Sequence, residues 1–240
     1  MTNNIKLPNY CVLSYPRTSS VALTQTLMRL WETREGKFLN LPETMWASGE
    51  GVQLYKHGYS SWFDNLPEGN PPFKLEGGMV SPEHVPGMLT FLHNNNYIPI
   101  FIDRDPYENL KSFYISACSH FHEFFSFKSR NKEMETPRVL GDRVTEFNSW
   151  TLEERMEKMK TCAQIVMDYR QRDADLRKKI DNHAVIPHSL IKDDVTNAFP
   201  LLNIKVDKET RFYIRVKRSQ PVELTIEEEI KLKEFAELMI

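Results

Sequence analysis

The segment that most constrains this chain runs from Tyr10 to Trp31. Tyr10-Cys11-Val12-Leu13-Ser14 is a short apolar run, the length of a buried strand. It leads into Tyr15-Pro16-Arg17-Thr18-Ser19-Ser20, after which Val21, Leu23, Leu27, Leu30 and Trp31 recur at helical spacing. The order is strand, tight loop, helix.

The rest of the chain repeats that alternation. Residues 36–72 are rich in Gly, Pro, Asn and aromatics and read as irregular. Phe73 to Glu76 reads as a short strand. Ser81-Pro82-Glu83 opens a helix, with Ser as cap and Pro in the first turn, that ends near Asn94-Asn95-Asn96. Tyr97 to Ile102 is a second buried strand in which Pro99 is awkward, because proline cannot donate to a ladder. Asp105-Pro106 starts another helix with Leu110, Phe113, Tyr114 and Ala117 on one face. Residues 126–150 read as a polar loop. Thr151 to Glu154 and Thr225 to Glu228 are capping boxes. The first opens a long helix with Leu152, Met156, Met159, Ala163, Val166 and Met167 as its stripe. The second opens a C-terminal helix. Between them, Ala184-Val185-Ile186 is a further strand. Strands alternating with helices predict a single α/β domain over 1–240, a parallel sheet covered on both faces.

Composition narrows the function classes. The 240 residues carry 31 Lys and Arg against 33 Asp and Glu, a formal net charge of −2. That lacks the basic excess of a general nucleic-acid binder. The three Cys, at 11, 118 and 162, match no disulfide or zinc spacing and fit a reducing compartment. The first ten residues lack the apolar run of a secretory leader, and no apolar run approaches a membrane span. A cytoplasmic location with no membrane partner is the expectation.

The loop from Ser14 to Ser20 carries the first chemical signal. A helix N-terminus presents unpaired N–H groups and partial positive charge, which suits an anion. Thr18, Ser19 and Ser20 add hydroxyls, and Arg17 adds a full charge. The loop has no glycine and no Lys-Ser or Lys-Thr pair, so it is not a Walker A motif. The second signal is Arg104, which follows the apolar strand Ile98 to Ile102 and precedes Ser112, Phe113 and Tyr114. Open α/β sheets bind ligands at such strand ends, and Arg offers phosphate a rigid fork of donors. The third is Lys74 and Glu76, two apart on a strand and so on one side of it.

In this order the three segments resemble the PAPS-dependent sulfotransferases. Pro16-Arg17-Thr18-Ser19-Ser20 resembles their 5′-phosphosulfate loop, with Thr18-Ser19 where many members have Ser-Gly. Arg104 and Ser112, eight positions apart, resemble their 3′-phosphate site. Lys74 and Glu76 stand where some members carry Lys-x-His and others a Glu base. The likeness is looser for Arg215, Lys217 and Arg218, which correspond to a late basic loop. Residues 186–190, Ile-Pro-His-Ser-Leu, depart from an acidic Tyr-Glu-Asp-Leu-like segment.

The resemblance implies a P-loop-NTPase-like sulfotransferase fold and 3′-phosphoadenosine-5′-phosphosulfate (PAPS) as co-substrate, with no metal required. Glu76 is then the general base, with His84 as its rival. Arg17 and Lys74 assist the departing phosphate. Ser14, Pro16, Arg17, Thr18, Ser19 and Ser20 hold the 5′ end, and Arg104 and Ser112 the 3′-phosphate. A small molecule or glycan would be the acceptor. Cys118, His120 and His122 match no strong metal spacing and would at most line an acceptor pocket. Two other readings stay open. One is a nucleotide-dependent kinase with Asp103 organising Mg²⁺; the other is a nucleotide-binding protein without turnover.

Overall fold

In the computed structural model the described residues are 7–15, 18–35, 69–76, 85–120, 149–205 and 223–239. They form two compact units. The first contains residues up to Arg104 together with Tyr169–Val216, and the second contains Asp105–Asp168 and the chain from Lys217.

The first unit is built on four parallel strands: β1 (Asn9–Ser14), β2 (Phe73–Glu76), β3 (Tyr97–Asp103) and β4 (Ala184–Pro187), in the order β2-β1-β3-β4. The register sets Ser14 beside Glu76 and Asp103 beside Pro187. All four strands expected from the apolar runs are present. Pro99 is accommodated because β4 joins β3 only from Ile100 onward, so β3 has an open side at the proline.

Alternation along the strands separates two cores. On one face Tyr10 and Val12 of β1 meet Leu23, Leu27 and Trp31 of α1 (Ser20–Glu35), with Ile100, Ile102 and Ile186 completing the layer. On the other face Cys11, Leu13, Phe73 and Leu75 meet Met88 and Leu92 of α2 (Val85–Asn94) and Leu176. The parallel sheet is thus covered on both faces. α2 ends at Asn94, and Asn96 turns the chain into β3 at φ 53°, a conformation that Asn tolerates. The expected helix start at Ser81-Pro82-Glu83 lies outside the described residues.

This arrangement defines where a ligand fits. The β1–β2 crossover travels through α1 on one face. The β2–β3 crossover travels through α2 on the opposite face and carries the chain to the other side of β1. The reversal lies between β1 and β3, and open α/β sheets bind ligands at the carboxyl ends of such a strand pair, here beside Ser14 and Arg104.

The second unit is helical among its described residues. It comprises α3 (Pro106–His120), the first part of α4 (Leu152–Arg177) and, beyond β4 and the one-turn α5 (His188–Ile191), the final helix α6 (Ile226–Glu237). Both capping boxes form. Thr151 N–H donates to Glu154 at 2.7 Å, and Thr225 N–H donates to Glu228 at 2.8 Å. Glu228 is fully buried and also accepts the Tyr114 hydroxyl at 3.0 Å, which ties α6 to α3. The expected stripe of α4 needs one correction. Leu152 is 42% exposed; the buried apolar positions are Met159, Cys162, Ala163, Ile165, Val166, Tyr169 and Leu176. No helix among the described residues is long and apolar enough to cross a membrane.

Candidate functional site at the carboxyl edge of the sheet

β1 ends in a cluster of small hydroxyls. Ser14, Thr18 and Ser20 are all buried. Thr18 Oγ1 donates to the Tyr15 carbonyl at 3.0 Å, which tightens the loop, and Thr24 Oγ1 donates to Ser20 O at 2.8 Å inside α1. Ser14 Oγ is buried without a partner. Ser14 shares the strand face of Tyr10 and Val12, the face that α1 covers. A buried, unpaired hydroxyl costs about 1–3 kcal/mol, so it marks a place that a polar ligand atom would complete.

Ser19 is the hinge of this loop. Its carbonyl accepts Leu23 N–H at 3.1 Å and so begins α1. Its φ is 61°, in the left-handed region where a side chain costs about 1–2 kcal/mol and glycine costs little. Its hydroxyl shares a 3.1 Å hydrogen bond with Nε2 of His188, the residue that follows β4. His188 is held down to about 4 by burial, then by the charges of Arg104 and Lys192, so it is neutral at neutral pH. Three strand ends therefore converge, β1 through Ser19, β3 through Arg104 and β4 through His188.

A clamp joins the ends of β1 and β3. Tyr15 OH accepts the backbone N–H of Arg104 at 3.0 Å. Arg170, from the last turns of α4, donates through Nη1 to Tyr15 OH at 3.0 Å and to the Arg104 carbonyl at 2.8 Å, and it lies over the Tyr15 ring. Burial pushes the Tyr15 phenol up, which keeps the proton it needs to face that carbonyl. One turn along α4, Asp173 accepts from Arg177, which also pairs with Asp103 at the end of β3. Asp173 is 3% exposed, and burial raises it to about 6 despite Arg177.

The structure thus brings Ser14, Thr18, Ser19, Ser20 and Arg104 to one edge. Lys74 is buried in β2 opposite Val12, and Glu76 ends β2 opposite Ser14, about 6–7 Å further along the strand. The Glu76 side chain, Pro16, Arg17, His84, His122, Arg215, Lys217 and Arg218 lie outside the described residues, as do the side chains of Cys118 and His120. Ser112 is half-buried on α3, in the second unit. Asp103, at the end of β3, pairs with Arg177.

Tyr15, Arg170, Asp173 and His188 were not among the expected site residues. The signal for three of them was present. Arg170, Asp173 and Arg177 stand at i, i+3 and i+7, a charged stripe on one helical face beside the apolar one. His188 follows a strand directly, as Arg104 does.

Set against protein-family models, curated proteins and solved structures, the chain matches none of them. Its α/β architecture, a central parallel sheet flanked by helices, is one that nucleotide-binding proteins in general use.

Proposed function

We propose that this protein is a sulfotransferase that moves the sulfuryl group of PAPS to a hydroxyl or amine acceptor, the whole of 1–240 acting as one catalytic domain. One observation carries the reading. Ser19 stands where the family pattern places glycine, and it adopts the left-handed φ of 61° that glycine would adopt at the start of α1. Glycine is the usual residue for that conformation, so the φ of Ser19 supports the reading. The unpartnered Ser14 hydroxyl and Arg104 at the neighbouring strand end support the same reading.

In this reading the first turn of α1 and the hydroxyls of Ser14, Thr18, Ser19 and Ser20 receive the 5′ end of the donor, with Pro16 shaping the loop. Arg17 and Lys74 stabilise charge growing on the phosphate oxygen as the S–O bond breaks. Arg104 receives the 3′-phosphate; Ser112, Arg215, Lys217 and Arg218 are assigned to that phosphate by the resemblance alone. Glu76 takes the acceptor proton. Sulfuryl carries less charge than phosphoryl, so these side chains suffice without Mg²⁺, unlike a kinase site. Acceptors are small molecules or glycans, met in the cytoplasm.

Incubating the protein with PAPS and a panel of phenol, alcohol, amine and sugar acceptors, with and without EDTA, tests this. Formation of adenosine 3′,5′-bisphosphate and a sulfated product, unaffected by EDTA, is the expected result. Turnover that needs Mg²⁺ and ATP would favour the kinase reading instead.

A further inference from the structure

His188 sits at the end of β4 with no role in the reading above, yet its imidazole faces the anion loop directly. Its Nε2 is 3.1 Å from Ser19 Oγ, and Ser19 begins the sixteen-residue α1. The buried, unpartnered Ser14 hydroxyl lies on the strand face that α1 covers. The groups acting on His188 among the described residues are Arg104, from the end of β3, and Lys192, after α5. Ser19, just before α1, is its neutral neighbour. Both charged neighbours are cations.

We propose that His188 is the proton-linked partner of this anion site: it takes up one proton when a doubly charged sulfate or phosphate group seats against the first turn of α1. This rests on the edge of the sheet being an anion site, and it assigns that site a charge preference. In this scheme the neutral imidazole of the free protein is the Nδ1–H tautomer, which accepts the Ser19 O–H at Nε2. A dianion offsets the positive field of Arg104 and Lys192 and adds an acceptor for a charged donor. The imidazole then gains a proton from solvent, Nε2 becomes a donor, and the Ser19 hydroxyl is released to donate to the anion. The new Nε2–H bond takes its proton from hydronium or a buffer acid, whose conjugate base stays in solution, and the site gains one positive charge against two negative ones.

The sign follows from the starting position. Burial and the two cations hold His188 at about 4 in the free protein. Any rise on binding means proton uptake between the free and bound values, and dianion affinity that increases as pH falls through that window.

Sulfate is the cleanest probe, because it stays doubly charged throughout the range while phosphates titrate. Calorimetry with sodium sulfate at about pH 5.5, in two buffers of different ionisation heat, counts the protons directly. The expected result is uptake of about half a proton or more per sulfate. His188→Gln keeps a hydrogen-bonding group at the Nε2 position but cannot titrate, so it should bind sulfate with no such uptake. Wild-type protein that binds sulfate without uptake, or the variant with unchanged uptake, overturns the proposal. Running the same pair with adenosine 3′,5′-bisphosphate separates the two ideas. Sulfate-linked uptake without affinity for the bisphosphate leaves His188's role standing and removes the PAPS reading. Bisphosphate binding with equal proton counts in both proteins removes His188's role alone. Failure to bind either anion removes both.

Discussion

The hydroxyl of Tyr15 accepts the backbone N–H of Arg104 at 3.0 Å, joining the residue after β1 to the residue after β3. These are the two strands between which the crossovers reverse, so the bond joins the chain at the switch point itself. Arg170 reinforces it by donating to the same hydroxyl and to the carbonyl of the same arginine. Arg104 is therefore held by its backbone, which leaves its position independent of whatever its side chain binds.

Tyr15→Phe removes the oxygen shared by these bonds and nothing else. Tyr15 is 3% exposed, so solvent does not replace the lost partner. The variant should lose about 1–3 kcal/mol, the usual cost of stranding buried hydrogen-bonding groups. Urea unfolding checks this. An unchanged midpoint would mean that the Arg170 bond to the Arg104 carbonyl suffices to hold the two strand ends.

Asp173 should leave a mark on the pH dependence of stability. Burial raises it from the ordinary 3.8 to about 6 in the folded protein. Between those values the folded state binds the proton better than the unfolded chain, so stability falls as pH rises through the window and is flat above it. Asp173→Asn cannot titrate. It should match wild type near pH 4 and exceed it by about 2–3 kcal/mol at pH 7. Melting curves of both proteins from acid to neutral pH test the difference. A gap that stays constant with pH would contradict the assignment.

Most of the fold was legible in the sequence because strand runs and capping boxes are local signals. Tyr10 to Ser14, Phe73 to Glu76, Tyr97 to Ile102 and Ala184 to Ile186 each announce themselves by apolar residues between polar breaks. Thr151 and Thr225 announce helices through a glutamate three residues on. Leu152 misled because an apolar residue in the first turn extends the stripe on paper whether or not it is buried. The site was only half legible. Ser14, Thr18, Ser19, Ser20 and Arg104 lie where a strand meets a loop, a position that sequence order reveals. Arg170 and His188 reach the same edge from 155 and 169 residues away, and only the sheet order β2-β1-β3-β4 brings them there. The left-handed turn at Ser19 was hidden for another reason, because serine does not advertise positive φ as glycine does.

Glu76 ends β2 opposite Ser14, at the carboxyl edge where an acceptor would meet the donor. Glu76→Gln keeps the shape but cannot take a proton. With an acceptor in hand, turnover should fall by about 10²–10⁴-fold while nucleotide affinity is unchanged. Near-normal turnover in this variant, with loss in His84→Ala, would transfer the base to His84. Full turnover in both would mean the acceptor needs no base from the protein.

The reading of the whole edge as a PAPS site turns on Arg104, because a 3′-phosphate is what separates this nucleotide from AMP and ATP. Calorimetric titration of the protein with adenosine 3′,5′-bisphosphate, AMP and ATP is therefore the most direct measurement. The bisphosphate should bind far more tightly than the other two. Arg104→Ala should weaken it by about 1.5–3 kcal/mol, roughly 10- to 150-fold, and leave AMP nearly unchanged. Equal affinity for AMP and the bisphosphate would contradict a 3′-phosphate site at the end of β3, and with it the proposed donor.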